Sequence, residues 1–187
     1  MQPQFKNELS GERLTLKRTK PTLAMAEAMF KTVDANRIHL EPWFHWTALT
    51  QKMEDSLKYL FDKEERTAQG KIVEYGLFIG EQYLGNISLF DIDTKNKSAE
   101  VGYWLSASHT QKGYMTQAVQ LLEKEAFEHL GLNRIQLKCD EENKASAGVA
   151  KKCGFTLEGT IREETLSDYF KSFRNTLVFS KLKSEYQ

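Results

Sequence analysis

AEVGYWLSASHTQKGYMTQAVQ, residues Ala99 to Gln120, is the stretch whose reading decides the fold. It begins as a strand, passes through a polar turn centred on Gly113 and leaves as a helix. A strand, a glycine-bearing turn and a helix N-terminus together make an anion site. The free N–H groups of the first helical turn point into the gap, and the helix dipole favours negative charge there. We read this turn as holding a pyrophosphate, with Glu100 to Leu105 presenting the rest of the same ligand. A dinucleotide fold would place GxGxxG after the first strand, and this turn carries Gly113 alone.

Outward from this stretch, apolar periodicity sets the other elements. Glu12 to Arg18 alternates as a short strand, and Pro21 stops it. Thr22 reads as the N-cap of a helix from Leu23 to Val33, with Met25, Ala26, Met29, Phe30 and Val33 at helical spacing. Thr50 to Gln69 reads as a long polar helix. Met53, Leu57, Leu60 and Phe61 form its inner stripe and its charges face water. Ile72 to Ile79, Tyr83 to Asp91 and Ser98 to Leu105 form an antiparallel meander. Met115 to Leu130 is an amphipathic helix closed by Gly131, and Arg134 to Asp140 is a strand. Asn143 caps a helix that Gly154 ends, and Phe155 to Glu164 and Phe173 to Leu182 are the last two strands. Strands separated by a helix imply a parallel pair in the middle of a mixed sheet.

Composition excludes several classes. A chain of 187 residues suits one domain, and Lys+Arg and Asp+Glu both count 26. That balance gives no basic stripe for nucleic acid, and no apolar run reaches the length of a membrane span or signal core, so the expected location is the cytoplasm. Cys139 and Cys153 form no metal or redox spacing and read as reduced packing residues, with a nucleophilic role for either as the alternative. His39 and His45 have no paired acid at ligand spacing, so no metal is expected. The aromatic segment around Pro42 has two readings: rings plugging the core edge, or a substrate-facing wall with Trp43 and Trp46.

Taken in order, these pieces resemble the GNAT superfamily of acetyl-CoA-dependent N-acetyltransferases. Within it they resemble the Rim type, which acetylates N-terminal amines of ribosomal proteins. The resemblance runs through ERLTLKR (12–18), LEPWFHW (40–46), AEVGYWL (99–105), the run Glu142 to Phe155, and KKCGFTLEGTIRE (151–163). It implies an α/β (α+β) fold in one domain over residues 1–187. The sheet would be mixed and mainly antiparallel, with about seven strands flanked by helices in the order β-α-α-β-β-β-α-β-α-β-β. It implies acetyl-CoA as co-substrate and, by analogy, a homodimer. The family turn Gln/Arg-x-x-Gly-x-Gly/Ala reads here as Thr110-Gln111-Lys112-Gly113-Tyr114-Met115. Gly113 matches, while Thr110 and Met115 depart. Backbone donors through Thr116 bind pyrophosphate in this design, and Lys112 either adds charge or is a solvated lysine. The strand at Tyr103, Trp104 and Leu105 would open to receive the pantetheine arm. Asn143 and Ser146 match the family's Asn-x-x-Ser, as cofactor contact and thiolate donor or as plain helix caps.

Acetyl transfer needs a neutral amine, a donor to the carbonyl oxygen and a modest base. The donor is expected to be a backbone N–H from residues 103–105. Candidate bases are Glu100, Glu163, Glu164 and Asp168. Glu100 shares a strand face with Gly102 and Trp104, and it reads either as a base raised by burial or as an exposed strand carboxylate. The resemblance implies a Glu just after the LEG-type strand. Thr165 stands there, with Glu164 adjacent. The acceptor is expected to be a protein N-terminal amine. The alternatives are a small amine such as a polyamine, an aminoglycoside or an amino-acid-like compound, and a non-catalytic acyl-CoA-binding regulator.

Overall fold

β5 (Ser98–Leu105) and β6 (Arg134–Asp140) lie side by side and parallel in a sheet whose other neighbours are all antiparallel, among the described residues 3–186 of this computed structural model. The sheet has eight strands in the order β1-β2-β3-β4-β5-β6-β8-β7. The remaining strands are β1 (Glu8–Ser10), β2 (Thr15–Arg18), β3 (Ile72–Ile79), β4 (Gln82–Asp93), β7 (Thr156–Ser167) and β8 (Ser172–Leu182). Helices α1 (Leu23–Asp34), α2 (Arg37–Leu40) and α3 (Met53–Ala68) precede the meander. α4 (Tyr114–Lys124) joins β5 to β6, and α5 (Lys144–Lys152) joins β6 to β7.

The parallel pair follows from α4, which carries the chain back across the sheet so that β6 restarts in the direction of β5. Met115, Ala118, Val119, Leu122 and Ala126 bury one face of that connection against Leu16, Tyr75, Ile87, Leu89 and Val101. On the other face Ala26, Met29, Val33, Leu40 and Leu60 pack with Tyr83 and Trp104. Thr22 caps α1 as its sequence predicts, its Oγ1 accepting from Met25 N at 3.2 Å.

The structure departs from the sequence reading in several places, beginning with the short helix α2, which makes three helices ahead of the meander where two were expected. β1 adds an eighth strand, three residues long, too short to show a period. α3 starts at Met53 and ends at Ala68. Its inward face is Ser56, Leu60, Lys63 and Thr67, while Phe61 is 56% exposed. The stripe keeps its helical spacing past Leu60, and that spacing brings Lys63 to the sheet, where it donates to Thr19 O and Thr19 Oγ1. α4 ends at Lys124 and continues as a π-helical turn, Glu125–His129, before Gly131 closes it with φ +65°. β7 and β8 run longer than expected, to Ser167 and from Ser172.

Candidate active site

The cleft begins where two strands part. β5 and β6 pair from Ser98↔Arg134 to Val101↔Leu137, then stop, although both continue toward Leu105 and Asp140. Backbone alternation decides what faces the gap. Lys97 O accepts from Asn133 N at 2.7 Å, so odd-numbered residues of β5 turn their polar groups toward β6. Ser106 N donates to Leu84 O at 2.8 Å, so even-numbered residues turn theirs toward β4. Tyr103 and Leu105 therefore offer free N–H and C=O groups to the opening, and Trp104 does not.

Below the opening stands the N-terminus of α4. Gly113 is its N-cap with φ +81°, and Gln111 before it has φ +60°. Two left-handed residues so close together curl the chain so that successive N–H groups converge. Thr110, Gln111, Gly113, Tyr114, Met115 and Thr116 all line the cleft, whereas Lys112 is not among its walls. Thr110 Oγ1 donates to Ala107 O at 2.8 Å, a structural bond that holds the turn. Met115 is buried in the core beneath. Arg13 is a residue that sequence reasoning missed. Its guanidinium stacks 4.5 Å from the Tyr114 ring centroid and lies 3.4 Å from where a Gly113 Cβ would stand. A single arginine at the start of a short strand has no spacing that could have announced this.

The two faces of the sheet give the cleft two chemically different sides. On the α4/α5 side, Asn143 caps α5 by accepting from Ser146 N at 3.1 Å, and Ser146 Oγ lies 3.0 Å from the Tyr103 phenol oxygen. Cys139 lines the same side, and its thiol is pushed up by burial. Cys153 sits behind it, buried and pushed up to about 12 by the same cause.

The opposite side carries the carboxylates. Glu100 accepts from Gln136 Nε2 at 2.9 Å, and burial raises its pKa above the ordinary range. Glu164 pairs with Lys138 at 3.3 Å; hydrogen bonding from Thr176, together with that lysine, holds its pKa below the ordinary range. Of the two, Glu100 is the stronger base. Asp168 lines the hairpin side of the cleft, and Glu163, at a bulge with φ +52°, is not among its walls. Asp140 receives Arg174 through two bonds, of 2.8 and 2.9 Å, and Arg174 stacks 4.6 Å from the Phe170 centroid. Phe170 in turn meets Trp43 at 6.1 Å, so the α2 loop and the β7–β8 hairpin touch across the mouth.

Trp43 is in the cleft wall with His39 and His45. Trp46 is not; it packs 5.9 Å from Trp104 and 5.4 Å from Phe44. The described residues contain no His, Cys, Asp or Glu cluster able to hold a metal. They contain no helix long and apolar enough to cross a membrane.

The whole depression holds about 1580 Å³, running from Gly113 past Ser146 to Glu100 and Trp43. An open strand edge beside a helix N-terminus, with a hydroxyl pair on one side and carboxylates on the other, is a frame that fits an extended, phosphate-bearing ligand and proton transfer beside it. The acetyltransferase (GNAT) domain profile matches residues 13–156, and the chain belongs to the GNAT family of N-acetyltransferases. Its relatives indicate the Rim-type branch. The ribosomal-protein-serine acetyltransferase of Escherichia coli (strain K12) is 31% identical over 143 residues, covering 76% of this chain and 80% of that protein. A solved structure of the RimL ribosomal L7/L12 alpha-N-protein acetyltransferase in complex with coenzyme A superposes with a TM-score of 0.88. It is 23% identical, covers 95% of this chain and 99% of that one, and shows the shared fold. The microcin C7 self-immunity acetyltransferase MccE, solved with acetyl-CoA and AMP, gives a TM-score of 0.85 at 27% identity, covering 92% of this chain and 93% of that one.

Proposed function

We propose that this protein transfers the acetyl group of acetyl-CoA directly to the N-terminal amine of a protein, in the manner of a ribosomal-protein acetyltransferase. The single observation that carries the acetyl-CoA part of the reading is the parting of β5 and β6 at Val101/Leu137 in the same cleft as the Gly113 turn, while the choice of a protein N-terminus as acceptor is supported by the ribosomal-protein acetyltransferase among the relatives. The pyrophosphate lies on the N–H groups of residues 111–116, flanked by Arg13. The pantetheine arm pairs with Tyr103 and Leu105 as an added strand would. The thioester then sits beside Ser146, and Asn143 holds the first turn of α5 against it.

The acceptor amine arrives from the carboxylate side, along the wall that includes Trp43, Glu164 and Asp168. A neutral amine attacks the carbonyl carbon, and the developing oxyanion takes a hydrogen bond from a backbone N–H of residues 103–105. Glu100 receives the proton that the amine gives up, directly or through a water. A terminal α-amine has an ordinary pKa near ~8, so a raised carboxylate suffices for this work. We take residues 1–187 as one acetyltransferase domain acting in the cytoplasm without a metal.

The test is thiol release from acetyl-CoA with three acceptors: a peptide with a free N-terminus, the same peptide N-acetylated, and spermidine. Thiol release with the first alone supports the reading. Release with spermidine alone replaces the acceptor by a small polyamine. Saturable acetyl-CoA binding with no release from any amine makes the protein a regulator instead.

A further inference from the structure

Tyr103 and Ser146 meet at the point where the strands part. The phenol oxygen lies 3.0 Å from Ser146 Oγ and 3.2 Å from Ser146 O. A phenol has one proton to give. Either oxygen of the 3.0 Å pair could donate; the Ser146 carbonyl already serves the helical ladder of α5, so we assign the phenol proton to the nearer Oγ. The Ser146 N–H is already taken by Asn143 Oδ1. With Oγ accepting from the phenol, the serine's own hydrogen is left over, and both the Cys139 sulfur and the cleft lie within its reach. The titratable groups facing this pair are Cys139 on β6 and Cys153 behind it. Burial pushes both thiols up, so neither competes as an anion. Burial also raises the phenol, which stays a donor at working pH.

We propose that Tyr103 is a positioning residue whose phenol fixes the Ser146 hydroxyl as a donor aimed at the sulfur of coenzyme A. This rests on the reading that acetyl-CoA occupies the cleft. In the transfer, a C–N bond forms at the carbonyl carbon and the C–S bond breaks, its electron pair leaving on sulfur. The Ser146 O–H gives that thiolate a hydrogen bond as the charge develops. The proton lost by the amine nitrogen balances the one the thiolate takes from water on release. Without the phenol, the serine hydrogen is free to turn to its own helix, and the leaving sulfur loses its donor.

Tyr103→Phe keeps the ring and removes one atom. Three readouts apply: the coenzyme A dissociation constant, the kcat and KM for acetyl-CoA, and the thiol pKa of bound coenzyme A followed by thiolate ultraviolet absorbance. We expect binding within about twofold of wild type, kcat down about tenfold with KM little changed, and a higher pKa for the bound thiol. Ser146→Ala alone should raise that thiol pKa similarly, and adding Tyr103→Phe to it should cost nothing more. An unchanged kcat and thiol pKa in Tyr103→Phe, or losses that add fully in the double variant, overturn the proposal and leave the acetyltransferase reading standing. Absence of coenzyme A binding by the wild-type protein overturns both.

Discussion

Gly85 is the position where one added methyl tests fold and catalysis together. It sits in β4 opposite Leu105 with φ +154°, a backbone conformation that L side chains rarely adopt. A Cβ there would stand 2.2 Å from Trp104 O and 3.0 Å from Leu105 Cα. Both are backbone atoms, so no rotamer change relieves the clash. Real Cβ contacts stop near 3.0 Å, which leaves Gly85→Ala short by about 0.8 Å, and β5 must move outward by that much. Overpacking of this kind costs about 2–3 kcal/mol, and for a chain of this size the Tm should fall by about 5–10 °C. The strand that moves is the one offering the Leu105 N–H to the cleft. A displacement near 1 Å at a positioning group lowers turnover by about 100-fold. Thermal unfolding and thiol release with acetyl-CoA read the two effects on one preparation. A Tm within about a degree of wild type, with turnover unchanged, would refute the close approach of β4 and β5 and the role given to residues 103–105.

Glu100→Gln should lower kcat/KM for the amine by about 100-fold. Burial raises the Glu100 pKa, so in the wild type the rate should fall as pH drops through a value above the ordinary glutamate range; the variant should lack that acid limb. Lys63→Met removes the cation buried beside Glu74, Thr19 and Tyr59, leaving Glu74 with hydrogen-bond donors but no counter-charge. It should destabilise the fold by about 3 kcal/mol in urea titration while leaving the KM for acetyl-CoA unchanged. Arg134 holds the Glu158 carboxyl down to about 2 through two bonds of 2.6 Å. This folded-state pKa is depressed, so the stabilisation is present above the unfolded value near ~4.3 and is lost as pH falls from there toward about 2. The pair is solvent-screened, so Arg134→Ala should cost under about 1 kcal/mol at pH 7 and nothing at the acid end.

The parts legible in the sequence were those written in a local period or a fixed spacing. Met115, Ala118, Val119 and Leu122 declare α4 by themselves, and Asn143 with Ser146 declares the start of α5. The parallel step follows because a crossover, here α4, must return the chain for β6. What stayed hidden depends on elements distant in sequence. Lys63 reads as one more solvated charge until Thr19, just past β2, accepts from it and donates in turn to Glu74 on β3. Trp43 and Trp46 look alike in a seven-residue aromatic run, yet one meets Phe170 across the mouth and the other packs against Trp104. Arg13 gains its place only when the β1–β2 connection folds over Tyr114. The Tyr103–Ser146 contact spans 43 residues, and no pattern in either segment encodes it.

The account turns on whether acetyl-CoA pairs with the open edge of β5. Amide hydrogen exchange with and without acetyl-CoA, read residue by residue by NMR, tests this most directly. The N–H groups of Tyr103 and Leu105 should exchange quickly in the free protein and become strongly protected on binding. Trp104, already turned to β4, should be protected in both states. Saturable binding of acetyl-CoA that leaves Tyr103 and Leu105 unprotected would contradict the placement of the cofactor between β5 and β6.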